Sequence, residues 1–275
     1  MISILKRILN IYPMTVDLNN LRIRVKIDNS RQFYMAGYLG SHPLLYSKHF
    51  NFEWDEEKSE MQVKYSSKEI VIKHIFEDGD FAGVFISEEY SEIEVNNRLV
   101  IDIGASICDT ALYFILKGAK KIIAFEPAPE VFNMGLDNIA SNNLAGTIDY
   151  RNEAVGDTCG LINIDDYSSL IAGGSPLRLN KNGTEIRQIT LTSILDSIKI
   201  DDDRAVLKLD CEGCEYMLFS EVDTNLLQKL ETIVLEYHNG LQYIPSFFKQ
   251  HGFASQKIKP KSDKIGLLIA RRSIE

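Results

Sequence analysis

The segment Val100–Thr110, with the sequence VIDIGASICDT, restricts the fold of this chain more than any other. A short apolar run leads into Gly104, and a pattern of helical period begins at Asp109, which we predict to be the helix cap. Glycine lets the backbone turn sharply and approach a ligand closely, while the first N–H groups of a helix stay free to bind one. The segment therefore predicts a strand, a tight turn and a helix, with either a plain turn or a ligand site between them.

The alternation of apolar runs with helical segments continues after this segment, as is typical of a wound α/β sheet. We predict strands at Leu99–Ile103, Lys121–Phe125, Thr147–Ala154, Ala205–Asp210, Thr232–Tyr237, Phe253–Ile258 and Ile265–Ala270. We predict helices at Asp109–Leu116, Pro129–Asn142, Leu191–Ile198, Tyr216–Leu230 (in one or two pieces) and Leu241–His251. The last two strands are separated only by a polar turn, so they must pair as a hairpin and one of them must run antiparallel to the rest.

The residues before the first of these strands have a different character. Alternating runs at Leu21–Ile27, Met61–Tyr65 and Glu69–Ile75 predict short antiparallel strands. We therefore expect two regions in the chain. The first is a β-rich N-terminal region over residues 1–95, and the second is an α/β domain over residues 96–275.

Two segments stand apart from this pattern. Residues 156–188 interrupt the α/β alternation and predict an inserted hairpin or a flap over a site. Residues 2–11 predict a short basic helix that packs on its own domain, with contact to a membrane surface or another subunit as the alternative.

The net charge of the chain argues against one class of partner, the nucleic acids. Thirty Lys and Arg against 39 Asp and Glu give a net charge of −9, the wrong sign for binding a phosphate backbone. No apolar run approaches the roughly 20 residues of a membrane-spanning helix, and the first residues lack the apolar core of a signal peptide. Four cysteines are too few for a disulfide framework. We therefore expect a cytoplasmic protein with reduced thiols, no nucleic-acid partner and no transmembrane segment.

An acidic residue at the end of the second predicted strand indicates the cofactor class. Glu126 lies 22 residues after Gly104, where a carboxylate can accept hydrogen bonds from both hydroxyls of a ribose. The dinucleotide fingerprint, however, needs glycine at the positions of Ser106 and Asp109. Acidic residues in this turn repel a pyrophosphate and attract a cation. The turn therefore favours S-adenosylmethionine, with its sulfonium and ammonium groups, over NAD.

The order of the motifs resembles a known family. VIDIGASICDT, IIAFEPAP, NEAVGD, LKLDCEGCEY and LEYHNG follow FAGVFISEEY over roughly residues 80–270, and together they are similar to the FkbM family of S-adenosylmethionine-dependent methyltransferases. The resemblance implies the Rossmann-like sheet of a class I methyltransferase, with seven strands in the order 3-2-1-4-5-7-6 and an antiparallel strand near the C-terminus. The chain departs from the family at Ser106–Cys108, where members often have Asn-Ile-Gly.

The expected cofactor site lies at the ends of the first strands. Glu153 would accept a hydrogen bond from the exocyclic amine of adenine. The full set of expected cofactor residues is Asp102, Gly104, Ala105, Ser106, Asp109, Thr110, Glu126, Pro127, Glu153, Ala154 and Asp210.

A second cluster of polar residues follows the fourth and fifth predicted strands. Asp210 and Glu212 come after one strand and His238 after the next. Because carboxyl ends of parallel strands meet at one edge of a sheet, we expect these residues to border the same cleft as Gly104. Transfer of a methyl group to an alcohol oxygen requires removal of its proton. We assign that role to Asp210 or His238, with Lys208 and Glu212 orienting the acceptor.

Several alternatives stay open for this cluster. One is a divalent ion, since hard and borderline ligands converge here. Its ligands would be Asp210, Glu212, Glu236 and His238. Lys208 and His238 would otherwise be structural. Cys211 and Cys214 have the spacing of a zinc or redox pair, but the sequence has no second such pair, and small residues beside a glycine turn are the better explanation.

The resemblance therefore implies an O-methyltransferase with a small-molecule or glycan acceptor, namely a hydroxyl of a sugar, glycolipid, polyketide or similar small molecule, with residues 1–95 on the acceptor side and no metal assigned. The alternatives are an NAD-dependent oxidoreductase and a non-catalytic partner protein that binds the cofactor.

Overall fold

The computed structural model describes residues 14–18, 23–27, 47, 49–55, 58, 60–74, 81–165, 179–180, 182–199 and 204–273. The predicted helix at residues 2–11 and the glycine-rich part of the predicted insertion lie outside these residues. No helix in the described part of the chain is long and apolar enough to cross a membrane.

Strands make up most of the regular structure. They are β1 (Met14–Leu18), β2 (Ile23–Ile27), β3 (Phe50–Asp55), β4 (Glu60–Tyr65), β5 (Lys68–Ile72), β6 (Leu99–Ile103), β7 (Lys121–Phe125), β8 (Ile148–Arg151), β9 (Ala154–Gly156), β10 (Gly160–Ile164), β11 (Thr184–Thr190), β12 (Ala205–Leu209), β13 (Leu230–Tyr237), β14 (Phe253–Pro260) and β15 (Gly266–Arg272). The α-helices are α1 (Asp109–Leu116), α2 (Pro129–Ser141), α3 (Leu191–Ser197), α4 (Glu215–Glu221) and α5 (Ile244–Gln250). A π-helical turn (Ala82–Ile86) and a 3₁₀ helix (Thr224–Lys229) complete the set.

Seven strands form the central sheet in the order β8-β7-β6-β12-β13-β15-β14. Only β15 runs against its neighbours, pairing antiparallel with both β13 and β14. The predicted α/β fold, its strand order and the C-terminal hairpin are confirmed. The inner strands are mostly apolar because helices cover both faces of the sheet, and every residue of β12, AVLKL, is buried, its lysine included.

Local sequence explains where the helices begin and end. Pro129 opens α2, where the fixed φ of proline suits a first turn and its missing N–H costs nothing. The Thr190 hydroxyl accepts a hydrogen bond from the Ser193 N–H at 3.1 Å and caps α3. The predicted cap of α1 is wrong by one residue: Cys108 takes the cap position, and Asp109 is the first helical residue.

The predicted strand Thr147–Ala154 is wrong as a single element. It divides into β8, in the central sheet, and β9, which pairs in parallel with β11 in a separate three-stranded sheet. The Asn152 side chain causes the break, since its amide donates at 2.9 Å to the carbonyl oxygens of both Glu126 and Pro127. β10 and β11 pair antiparallel, so the described part of the predicted insertion is a hairpin.

The N-terminal strands are antiparallel, as predicted. β3, β4 and β5 form one sheet, and β1 pairs with β2. Aromatic residues of this region share a hydrophobic cluster with α1: the ring centroid of Phe50 lies 5.5 Å from that of Tyr113. The Asn142 side chain of α2 bonds to both backbone groups of Val71 in β5, at 2.7 and 2.6 Å. These contacts fix the small sheet against the helices on one face of the central sheet.

Candidate active site

The turn after β6 has an unusual backbone conformation. Gly104, Ser106 and Cys108 all have positive φ, at 75°, 47° and 66°. A Cβ atom at Gly104 would overlap the carbonyl oxygen of Asp210, at the end of the adjacent strand. Only glycine fits this position, and the close approach brings the turn directly against the second polar cluster.

A buried lysine, Lys208, binds the backbone of this turn. Lys208 Nζ lies 3.0 Å from Asp102 Oδ1 and donates to the Gly104 carbonyl at 2.7 Å. Both side chains are almost fully buried. Burial alone would lower the pKa of Lys208, but the carboxylates of Asp102 and Asp210 raise it above its usual value, so the ammonium stays charged. Lys208 therefore positions the turn, while its suggested part in orienting an acceptor stays a prediction.

Glu126 packs against the same turn. One carboxylate oxygen accepts from the Ser106 N–H at 3.1 Å and the other from the Ala128 N–H at 2.8 Å. Burial raises the pKa of Glu126 to about 7, although these two hydrogen bonds act in the opposite direction. A carboxylate has about four acceptor positions, so two stay available for ligand hydroxyls. The Tyr150 hydroxyl donates to the Ser106 carbonyl and closes the turn on its other side.

The remaining expected cofactor residues occupy the same strand ends. The Asp109 carboxylate accepts from the Thr110 N–H at 2.8 Å, and both residues are buried. Glu153 forms an ion pair with Arg187 of β11 at 3.0 Å, a contact that the sequence did not indicate. The structure thus brings these residues to one edge of the sheet, and their contact with a cofactor stays a prediction.

The second polar cluster lies at the ends of β12 and β13. His238 Nε2 is 3.4 Å from Glu212 Oε2 and 3.9 Å from Asp210 Oδ1. On the other side of the ring, Glu215 accepts from the His238 backbone N–H at 3.1 Å and lies 3.2 Å from Nδ1. Asp210, Glu212 and His238 therefore meet as predicted, while Glu215, at the start of α4, was not among the predicted site residues.

The surroundings raise the pKa of two groups in this cluster, His238 and Glu212. Burial of the His238 ring opposes its charged form, but the hydrogen bond to Glu215 and the charges of Glu212 and Asp210 raise the pKa of His238 to about 9. Burial and nearby acids raise the pKa of Glu212 to about 7. In this charge set the imidazole carries its proton at neutral pH, with Nε2 facing the carboxylates of Glu212 and Asp210.

A second cation reaches the cluster from the turn between β14 and β15. Lys261 Nζ lies 3.0 Å from Glu236 Oε1 and 3.6 Å from Glu89 Oε2. Asp210, Glu236 and His238 each place one potential ligand atom within 4.8 Å of the other two, which is the geometry that the divalent-ion alternative requires. Lys261 already neutralises one of those carboxylates. The contact of Lys261 with this cluster was not predicted, because no local sequence pattern shows that a polar hairpin turn reaches back to another strand.

Cys211 and Cys214 are joined by a disulfide, with their Cα atoms 5.5 Å apart. The expectation of reduced thiols is therefore wrong for this pair, since the turn after β12 brings the two sulfur atoms together. Cys108 and Cys159 are free thiols, the first buried and the second exposed.

Known proteins resemble this chain in sequence and in fold. A family model described as a methyltransferase FkbM domain matches residues 102–255, which include the Gly104 turn, Glu126, Asp210 and His238. A curated protein, the uncharacterized protein 158B of Sulfolobus islandicus rod-shaped virus 1, is 51% identical over 37 residues, 14% of this chain and 23% of that protein.

Solved structures with a similar fold include two methyltransferases. A precorrin-6y C5,15-methyltransferase from Geobacter metallireducens GS-15 is 16% identical and superposes on 68% of this chain and 87% of its own, with a TM-score of 0.43. A tRNA (m1A22) methyltransferase assigned in Streptococcus pneumoniae, solved with S-adenosyl-L-methionine, is 14% identical over 67% of this chain and 71% of its own, with a TM-score of 0.44.

Proposed function

The chain belongs to the methyltransferase FkbM domain family, and from that premise we propose that it transfers a methyl group from S-adenosylmethionine to a hydroxyl oxygen of a sugar, glycolipid, polyketide or similar small molecule. One observation carries the proposal: the Gly104 turn packs directly against the backbone of Asp210. The expected cofactor site and the cluster around His238 therefore share one boundary. A methyl donor held at the turn lies next to groups able to take up a proton.

The donor set suits a cationic cofactor. Asp102, Asp109, Glu126 and Asp210 surround the turn, and Lys208 offsets one of these charges. Such an excess of carboxylate attracts a sulfonium and an ammonium group and repels a pyrophosphate. Glu126 would accept the ribose hydroxyls. Bound there, S-adenosylmethionine supplies an activated methyl group with a good leaving group.

The chain's own part in transfer is alignment and proton removal. An acceptor hydroxyl held between Asp210 and His238 would give its proton to one of them as its oxygen attacks. Glu215 holds the imidazole by Nδ1 and leaves Nε2 toward the cleft. A cation bound at the turn disfavours a second positive charge beside it and lowers the pKa of His238, which leaves more of the imidazole neutral and able to accept a proton. The net charge of −9 supports an acceptor other than a nucleic acid.

Two measurements test this function. Calorimetry should show binding of S-adenosylhomocysteine and none of NADH, and the reverse result would favour an oxidoreductase. Methyl-labelled S-adenosylmethionine is then incubated with a panel of saccharides, glycolipids, polyketides, amines and tRNA. We expect label on a hydroxyl-bearing acceptor, as an ether that survives mild alkali. Label on tRNA or on an amine, or release of labelled methanol by alkali, would contradict the proposal.

Replacement of Glu126 by alanine should weaken S-adenosylhomocysteine binding by about 1–3 kcal/mol, because the ribose hydroxyls lose their charged acceptor. Calorimetry measures the change, and chemical unfolding monitors the loss of the hydrogen bonds to Ser106 and Ala128. Glu130→Ala is the matched control, since that glutamate is exposed on the first turn of α2. Equal affinity in the two variants would remove Glu126 from the site.

Cofactor binding should also depend on pH through Glu126. Its pKa of about 7 lies above the ordinary 4.5, so the carboxyl group is largely protonated at pH 6 and ionised at pH 8. The ionised form accepts both hydroxyls, and the affinity for S-adenosylhomocysteine should therefore rise roughly tenfold from pH 6 to pH 8. Glu126→Gln should abolish this rise. A rise of the same size in Glu126→Gln would assign the titration to another group.

A further inference from the structure

A disulfide closes the loop between β12 and α4, beside the acceptor side of the site. The Cα separation of Cys211 and Cys214, 5.5 Å, falls within the usual range for a disulfide. Both cysteines are partly exposed, and Gly213, which lies between them, is exposed. A small thiol can therefore reach the bond without unfolding the domain.

The cross-linked loop carries both carboxylates that hold the His238 ring. Glu212, inside the loop, lies 3.4 Å from Nε2. Glu215, directly after Cys214, lies 3.2 Å from Nδ1 and accepts from the Gly213 N–H at 2.9 Å. Glu215 is buried, so its side chain does not turn into solvent and its position is set by the backbone of the loop. Any rearrangement of the loop therefore moves the partners of both ring nitrogens together.

The loop backbone also has a conformation that an open chain would tend to leave. Glu212 has φ of 55° and Gly213 of 111°, two successive residues in the left-handed region. Glycine adopts this region freely, but glutamate does so at a steric cost. The disulfide joins Cys211 and Cys214, the residues on either side of this pair. It restricts a change of Glu212 to negative φ, and such a change would turn the Glu212 carboxylate away from His238.

We propose that the Cys211–Cys214 disulfide is a reversible redox site that positions His238, so that methyl transfer depends on the thiol–disulfide state of this loop. The dependence of transfer rests on the proposed function, whereas the coupling of the disulfide to His238 does not. We expect cofactor binding at the Gly104 turn to be largely independent of the switch, because Glu126 and Lys208, which hold the turn by hydrogen bonds, lie outside the loop.

The partner in the redox step is a dithiol. One of its thiolates attacks a sulfur of the Cys211–Cys214 bond, which breaks and gives a mixed disulfide and one protein thiolate. The second dithiol thiolate then attacks the mixed disulfide and releases the other protein thiolate. Two electrons pass from the dithiol to the protein, the protein thiolates take up the two protons that the dithiol gave up, and the dithiol leaves as a cyclic disulfide. Methyl transfer itself exchanges no electrons.

The experiment uses the full chain in buffers with varied ratios of reduced to oxidised dithiothreitol. Thiols are trapped by alkylation and counted by mass spectrometry, and the imidazole signals are followed by NMR on histidine-labelled protein. Reduction should add two alkylated thiols, at Cys211 and Cys214, and shift the His238 signal with the same midpoint. The His74 signal should not move, since that ring pairs with Asp137 elsewhere. A His238 signal unchanged by reduction, or a pair that stays reduced in oxidised dithiothreitol, would overturn the proposal.

Activity gives the second readout. With an acceptor found in the labelled panel, reduction should lower kcat about 10- to 100-fold, as expected for a misplaced catalytic group, and leave S-adenosylhomocysteine affinity unchanged. Cys211→Ser/Cys214→Ser should show the low kcat and no response to dithiothreitol, whereas the matched control Cys159→Ser should respond like the wild type. Equal kcat in both redox states would overturn the coupling to transfer. If no acceptor is methylated, the proposed function fails, and the alkylation and NMR readouts still decide whether the disulfide positions His238.

Discussion

Lys208→Met should lower the free energy of unfolding by about 3–5 kcal/mol, because it leaves the Asp102 carboxylate buried without its counter-ion. The substitution also removes the donor at 2.7 Å from the Gly104 carbonyl. Denaturant unfolding followed by circular dichroism measures the loss. Asp102→Leu/Lys208→Met should recover part of it, since removing both charges leaves neither one unpaired.

Lys64→Met is the matched control for this loss. Lys64 pairs with Glu53 at 2.9 Å, a separation close to that of the buried pair, but both side chains are well exposed. Water and salt screen such a pair, so the unfolding midpoint should stay close to that of the wild type. Equal losses in Lys64→Met and Lys208→Met would show that burial of the ion pair is not what makes Lys208 important.

The double variant Asp210→Ala/His238→Ala should lower the rate of methyl transfer by about 10²–10⁴, the usual contribution of a positioned acid or base. S-adenosylhomocysteine affinity should fall much less, since Glu126 and the Gly104 turn remain. Labelled transfer to the acceptor from the panel measures the rate, and calorimetry measures the affinity.

The control for the double variant is Asp137→Ala/His74→Ala. This pair has a similar chemistry, with His74 Nε2 at 3.1 Å from Asp137 Oδ2, and lies on the surface between β5 and α2. It should transfer methyl groups at the wild-type rate. Unchanged transfer by Asp210→Ala/His238→Ala would assign proton removal to another group, and cofactor binding without any transfer by the wild type would favour a non-catalytic partner protein.

Periodicity and turn residues were sufficient to predict most of the central sheet. β6, β7 and α1 have the predicted limits, because a continuous apolar run buried on both faces and a glycine after the helix are strong local signals. That one of the last two strands runs antiparallel followed from the shortness of the turn between them, and the family resemblance implied the inner position of the last strand. The break after β8 was not predictable in this way, since it depends on Asn152 reaching the carbonyl oxygens of another loop.

Site residues that directly follow a strand of the central sheet were predictable, whereas residues that reach the site from other elements were not. Asp210, Glu212 and His238 meet because adjacent parallel strands end at the same edge. Lys261 comes from a hairpin turn and Arg187 from an inserted strand, and their ion pairs with Glu236 and Glu153 depend on tertiary packing alone. Proximity of Cys211 and Cys214 was evident from their spacing, but the bond between them depends on the turn geometry.

The place of β15 in the sheet has a consequence for synthesis on the ribosome. β15 follows β13 and β14 in the chain but lies between them. Until residues 266–272 have left the exit tunnel, β13 presents an unpaired backbone edge, and such edges recruit other strands. The same strand end carries Glu236, and the hairpin that completes the sheet also brings Lys261 to it. A nascent chain therefore acquires the Lys261–Glu236 ion pair in the same step that closes the sheet, so a ribosome stalled before this point holds a domain without either.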